Sequence, residues 1–331
     1  MRGILVTGGA GYIGSHTAKA LSTAGYAPVV LDNLSSGHRS AVKWGPLVEG
    51  DIGDEALVKS TIERYRICAV IHFAANAYVG ESMKSPRKYF HNNVVNSLKL
   101  LSAIIDCGVD RVVFSSSCAT YGIPRVLPIR EHYRQRPVNP YGESKRFIER
   151  ALGWYAQAHG LRSVCLRYFN AAGADPDGDI GECHDPETHL IPLAIAAALG
   201  GHPLMILGDD YPTADGTAVR DYIHVCDLAD AHVRALDYLI RNSGSTALNL
   251  GTGHGYSVRE VQDTVTRISG KTVPSQVHSR RPGDPAILVA NADKALRLLG
   301  WTAQYTDLAE IIETAWRWHR SQQFHAARAG Y

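Results

Sequence analysis

From Ile4 to Cys165 the chain repeats one unit: a short β-branched apolar run, a turn rich in Gly, Asp or Asn, and a stretch with helical periodicity. The strand-like runs are ILVTG, PVVLDN, LVEGD, AVIHFAA, RVVFSSS and SVCLRYF, and helical stretches lie at 12–24, 54–65, 87–107 and 141–158. Alternation of this kind predicts parallel strands with helices on both faces, a doubly wound, Rossmann-type α/β sheet. In that architecture ligands bind outside the carboxyl ends of the strands, so the turns that follow the strands are where chemistry is sought.

After Asn170 the texture changes. A Gly/Asp/Pro-rich stretch, AAGADPDGDIGECHDPET, precedes helical segments at 190–199, 227–241, 258–268 and 307–318, separated by polar loops such as GDDYPTADGT and RRPGDP. The expected division is a first domain over 1–170 and a smaller, partly interleaved α/β lobe over 171–331, with some later segments returning to the first domain. Long polar loops set against a rigid sheet are suited to holding a substrate.

With 34 Lys+Arg against 32 Asp+Glu, the net charge of +2 leaves no electrostatic footprint for nucleic acid or a membrane surface. The opening MRGILVTGGAGYIG holds too short an apolar run for a signal peptide or a spanning helix. Six cysteines lie at wide spacings, mostly within apolar runs, which predicts reduced thiols and a cytoplasmic protein. Cys183, His184 and His189 are close in sequence, but their spacing fits no common zinc motif, and no metal is expected.

Gly8, Gly11 and Gly14 follow the first strand directly and open the first helix. Glycines there permit a tight turn and a close backbone approach, and the helix N-terminus offers N–H groups to a pyrophosphate. Asp32 ends the second strand, 21 residues after Gly11. A carboxylate at that point accepts bonds from ribose hydroxyls and repels a 2′-phosphate, so NAD is favoured over NADP.

A second cluster points to proton chemistry. In NPYGESK, Tyr141 and Lys145 are four apart and share a helix face, so the ammonium is expected to lower the phenol pKa and make it a base. Ser117 ends the fifth strand run, 24 residues before Tyr141, and a parallel sheet delivers it to the same edge as the glycine turn. Ser117 would then bond a substrate hydroxyl, Tyr141 would take its proton, and Lys145 would hold the cofactor ribose.

These motifs, together with LDNLSSG, GDI, VIHFAA, VGES, NNV, LRYFNAAGA, HLIP, DGTAVRDYIHVCDLADAH, LNLGTG and RRPGDPA, resemble the extended short-chain dehydrogenase/reductases, and among them the UDP-glucose 4-epimerases. The likeness extends over essentially the whole chain. It implies NAD contacts from Tyr12, Ile13, Asp32, Asn33, Asp51, Ile52, Phe73, Ala74, Ala75, Asn92, Lys145 and Phe169. It implies UDP-sugar contacts from Asn170, His189, Leu190, Arg220, Arg281 and Asp284, with Leu288 as a size gate for the sugar. Ala77 stands where many relatives carry a lysine, and His189 where some have asparagine. The likeness further implies a homodimer paired through the helices at 87–107 and 141–158.

The implied reaction is a reversible 4-epimerisation of UDP-glucose and UDP-galactose through a 4-keto sugar, with NAD tightly held and no net redox change. A UDP-xylose/UDP-arabinose 4-epimerase is the alternative, because SSSCATYG and ETHLIP also resemble segments of those enzymes. A 4,6-dehydratase would need an acid after the serine, where Cys118 and Ala119 stand. A non-catalytic NAD-binding regulator would have no use for Ser117, Tyr141 and Lys145 together.

Overall fold

The computed structural model describes residues 2–241, 244–281 and 283–329. Its largest sheet has seven parallel strands: β1 (Gly3–Thr7), β2 (Ala27–Asp32), β3 (Leu47–Glu49), β4 (Ile67–His72), β5 (Arg111–Ser117), β6 (Arg162–Tyr168) and a last strand, Thr246–Leu250. Their spatial order is Thr246–Leu250, β6, β5, β4, β1, β2, β3. The order reverses between β1 and β4, and at such a switch point the loops leaving the two strands diverge and open a crevice.

Strand periodicity divides the apolar residues between the two faces. Leu5 faces one core with Leu31, Leu100, Ile104, Ile148 and Leu152, under the helices Glu55–Tyr65, Asn96–Asp106 and Pro140–His159. Ile4 and Val6 face the other, with Leu21, Leu228, Leu236 and Trp301, under Tyr12–Thr23 and Val225–Arg241. The helix Val225–Arg241 and the strand Thr246–Leu250 thus return to the first sheet from late in the chain. A third core, built on Ile195, Val261, Ile311 and Trp316, joins the helices Leu190–Ala198, Val258–Ser269 and Leu308–His319.

One helix departs from expectation. The stretch expected as continuous over 87–107 is a short helix Pro86–Tyr89, a π-helical turn Phe90–Val95 and the helix Asn96–Asp106. The wider turn carries Asn92 and Asn93. Inserted π-turns of this kind concentrate at functional sites, where they re-aim side chains out of helical register.

Candidate active site

The turn after β1 is built for close approach. Gly8 has φ +71°, and a Cβ there would lie 2.6 Å from the Ala74 nitrogen; one on Gly14 would lie 2.3 Å from the Gly8 oxygen. Only glycine lets the helix Tyr12–Thr23 start this near the strand edge. Gly11 caps that helix with no side-chain hydrogen bond, and its first turn holds no acid, so the positive end of the dipole is left to an outside anion. Tyr12 anchors the turn to the second lobe by donating to the Gly173 carbonyl at 2.6 Å, while Ile13 is half-buried.

Asp32 is buried at the end of β2, its two oxygens accepting from the Ala10 and Leu34 backbone N–H groups at 2.9 and 2.8 Å. Burial pushes its pKa up against the pull of those two bonds. Beside it, Asn33 donates to Asp51 at 3.0 Å, and Asp51 also accepts from Asn96 and from the Gly53 N–H; Ile52 is buried beneath. After β4, the Phe73 and Ala74 N–H groups both donate to the Thr7 carbonyl, which brings Phe73, Ala74 and the half-buried Ala75 beside the glycine turn.

At the next strand edge stand the polar groups expected to act on a substrate. Asn139 caps the helix Pro140–His159 by accepting from the Gly142 N–H at 2.8 Å, and Pro140 occupies the first turn, so NPYG is a helix start with Tyr141 on its first turn. The Tyr141 phenol faces Ser117, which ends β5, closely enough for Ser117 to lower its pKa. Lys145, 4% exposed, donates to the Ser115 carbonyl at 2.7 Å, and its Nζ lies 5.8 Å from the centre of the Tyr141 ring.

Burial acts on both groups of the expected phenol–ammonium pair. It raises the Tyr141 pKa, with only Ser117 pulling it down, and it pushes Lys145 down to about 7. Desolvation disfavours the charged form of each group.

Sequence reasoning missed the groups behind this edge. Glu149, one turn beyond Lys145, accepts from the Ser116 hydroxyl at 2.5 Å and from the Arg167 Nε at 2.9 Å. Arg167 also donates to the Tyr121 hydroxyl at 2.9 Å, and that hydroxyl donates to Asn249 at 2.7 Å. The helix, β5, β6 and the last strand are therefore joined by one buried polar network next to Ser117. Asn93 was missed as well: Asn92 is half-buried and donates to it, whereas Asn93 is buried and bonds Asn76 and Ser144. The NNV motif held both residues, but periodicity does not tell which one the π-turn points inward.

On the second lobe, the short parallel pair Val219–Arg220 and Ile287–Leu288 sets Arg220 opposite Leu288. Arg220 donates to Asp284 at 2.5 Å and to the Val219 carbonyl at 2.8 Å, so its guanidinium fork is held in place. Arg281 is exposed, its carbonyl accepting from the Asp284 N–H at 3.1 Å. Leu288 is buried in a cluster with Phe169 and Tyr121, beside Cys118. The Asn170 N–H donates to the Asp221 carbonyl at 3.0 Å. His189 contacts Glu182 and precedes Leu190, the first residue of the helix Leu190–Ala198.

A profile of the NAD dependent epimerase/dehydratase family matches residues 4–251. The chain belongs to that family. A UDP-glucose 4-epimerase of Rhizobium leguminosarum bv. trifolii is 54% identical over 323 residues, 97% of this chain and 98% of that protein. The crystal structure of UDP-glucose 4-epimerase from Brucella ovis in complex with NAD is 55% identical, with a TM-score of 0.93 over 96% of this chain and 98% of that one. The Bifidobacterium longum UDP-glucose 4-epimerase in complex with NAD+ and UDP is 38% identical, with a TM-score of 0.93 over 97% and 99%.

The residues present fit the cofactor of an NAD dependent epimerase/dehydratase. The uncapped helix start after Gly11 suits a pyrophosphate, and the glycines leave the backbone bare where it approaches. The pre-bonded Asp32 carboxylate keeps acceptor capacity for ribose hydroxyls and disfavours a phosphate beside it.

Proposed function

We propose that the chain interconverts UDP-glucose and UDP-galactose by reversible 4-epimerisation with no net redox change. The observation that carries this reading is the convergence of Ser117, Tyr141 and Lys145 at the carboxyl edge of the sheet, in a chain similar along nearly its whole length to UDP-glucose 4-epimerases. That same full-length similarity favours hexoses over UDP-xylose and UDP-arabinose.

In this reading the helix start near Tyr12 and Ile13 holds the NAD pyrophosphate, and Asp32 holds the adenosine ribose with Asn33, Asp51 and Ile52 around it. Phe73, Ala74, Ala75, Asn92 and Phe169 line the rest of the cofactor, and Lys145 bonds the nicotinamide ribose. When bound there, NAD would supply the acceptor for the C4 hydride and the means of its return. Ser117 bonds the sugar 4-hydroxyl, and Tyr141, as the phenolate that a protonated Lys145 and a cationic nicotinamide beside it would favour, accepts its proton and later gives it back. The diphosphate stays clamped by Arg220, whose fork Asp284 orients, and by Arg281, through charge-assisted bonds. Asn170, His189 and Leu190 complete the nucleotide side. A firm grip on the nucleotide with few polar fixings on the sugar lets the 4-keto sugar turn over between the two hydride transfers.

We also infer a homodimer. The helix Pro140–His159 exposes Phe147 and, two turns on, Trp154 at 64%; Phe90 and Val95 are exposed on the neighbouring π-turn. Large apolar groups aligned on adjacent helices suit a second copy of the chain. Six free cysteines fit a reducing compartment, and we place the protein in the cytoplasm.

The test is Tyr141→Phe, which removes the hydroxyl and keeps the ring. kcat on UDP-galactose should fall roughly 10²-fold or more with the thermal midpoint little changed, the scale expected for losing a general base. Turnover near the parent rate refutes the role.

A further inference from the structure

We propose that Glu182, His184, Glu187 and His189 form a binding site for a divalent metal of the zinc class, on the loop that leads into the helix Leu190–Ala198. One ligand atom from each of the four lies within 4.8 Å of the others. The His184 Nδ1 is 3.1 Å from a Glu182 oxygen and 3.7 Å from a Glu187 oxygen, and the His189 Nδ1 contacts the same Glu182 oxygen. A tetrahedral zinc site with bonds near 2.1 Å separates its ligand atoms by about 3.4 Å. Small side-chain adjustments bring the four atoms to that spacing.

Two features set this group apart from a solvated charge cluster. The His184 Nδ1 is buried and makes no hydrogen bond of acceptable geometry, although a carboxylate oxygen is 3.1 Å away. A buried nitrogen that faces two carboxylates without a well-aligned hydrogen bond is suited to sharing a cation with them. The Glu182 side chain is only 3% exposed. With neutral imidazoles the group carries two negative charges, on the buried Glu182 and the half-buried Glu187, which a divalent cation would cancel.

The ligands are also pre-positioned. The Trp318 indole donates to the Glu182 carbonyl at 2.8 Å, and the Trp318 ring packs against Gly181 so closely that a Cβ there would lie 2.4 Å from it. His38 bonds the Cys183 carbonyl at 2.8 Å. The Thr188 and His189 N–H groups both donate to one Glu187 oxygen, at 2.7 and 2.8 Å, which fixes that carboxylate. Such outer bonds orient metal ligands. Two imidazoles with two carboxylates suit zinc better than the hard, oxygen-seeking magnesium or calcium. The His184 ring stands edge-on to Tyr12 at 6.3 Å and to Tyr78 at 6.0 Å, so a metal here clips the loop beside the cofactor turn.

His189 also belongs to the nucleotide side in the catalytic reading, so the test uses no substrate and reads metal binding alone. The purified protein, dialysed against a chelator and then against buffer, is titrated with zinc chloride by equilibrium dialysis with elemental analysis. The expected result is one zinc per chain, with affinity at least about tenfold weaker in His184→Ala/His189→Ala. Cobalt loaded into the parent should give the intense visible bands of a four-coordinate site, a readout that does not depend on the variant folding. Zinc binding well below one per chain overturns the proposal, as does equal binding by the folded variant or a cobalt spectrum typical of the hydrated ion. The cluster is then two carboxylates paired with imidazolium ions.

Discussion

Lys145 gives its hydrogen bond to the Ser115 carbonyl at 2.7 Å and stands 5.8 Å from the centre of the Tyr141 ring. Four-residue spacing puts the two on one helix face, but the strand backbone, not the phenol, is the ammonium's partner. Burial holds Lys145 at about 7, below its ordinary value of 10.5. Between those two pH values the unfolded chain binds more protons than the folded one, so the Lys145 contribution to stability rises with pH. Below pH 7 the lysine is charged in both states and its desolvation penalty is complete. Cofactor-stripped Lys145→Met should therefore be more stable than the parent at pH 6 to 7, with the gap shrinking toward pH 10. Urea denaturation across that range checks this; a gap that does not change with pH contradicts the burial assignment.

Glu149 carries the ion pair that joins the Tyr141 helix to β6. Replacing it with Gln leaves Arg167, 7% exposed, without its counter-charge. Breaking a buried pair by removing one partner costs about 3 to 5 kcal/mol. Denaturation of Glu149→Gln should show a loss on that scale, and Ser116, tied to the same carboxylate, should transmit it to Ser117 as reduced kcat. A variant with parent stability would mean that the network is not the brace it is taken to be.

Leu288 packs with Phe169 and Tyr121 at 9% exposure, opposite Arg220 in the register of the two short strands. Leu288→Cys removes bulk from that wall without adding charge. If Leu288 gates the sugar pocket, kcat/KM for UDP-N-acetylglucosamine should rise relative to UDP-glucose by roughly tenfold, within the range of about 1 to 3 kcal/mol for such apolar differences. An unchanged ratio between the two sugars removes Leu288 from the pocket.

Six strands of the main sheet were legible because each is a compact β-branched run followed by a turn signal. The seventh, Thr246–Leu250, was not: TALNL is mixed in character and far from the repeating region, and only pairing with β6 makes it a strand. The π-turn at Phe90–Val95 was hidden because its apolar spacing passes for a helix. The meeting of Ser117 and Tyr141 followed from topology alone, since a parallel sheet sends strand ends and helix starts to one edge. Pairings such as Glu149 with Arg167 and Arg220 with Asp284 were beyond reach, because they cross between elements whose mutual register the sequence does not state. Spacing reports that Lys145 and Tyr141 are close, but not the burial that raises the phenol pKa and lowers that of the ammonium. The Glu182-x-His184-x-x-Glu187-x-His189 pattern escaped notice because zinc was sought among cysteines and histidines.

The most direct test of the central claim is to incubate the purified protein with UDP-galactose and no added cofactor, separate the sugar nucleotides over time, and identify the nucleotide released on denaturation. The account predicts UDP-glucose accumulating to a fixed ratio, the same ratio reached from UDP-glucose, no net NADH, and released NAD rather than NADP. It is contradicted by absence of UDP-glucose, by consumption of added NAD in proportion to product, or by interconversion of UDP-xylose and UDP-arabinose that is roughly tenfold or more faster, a margin beyond what a neutral pocket gives.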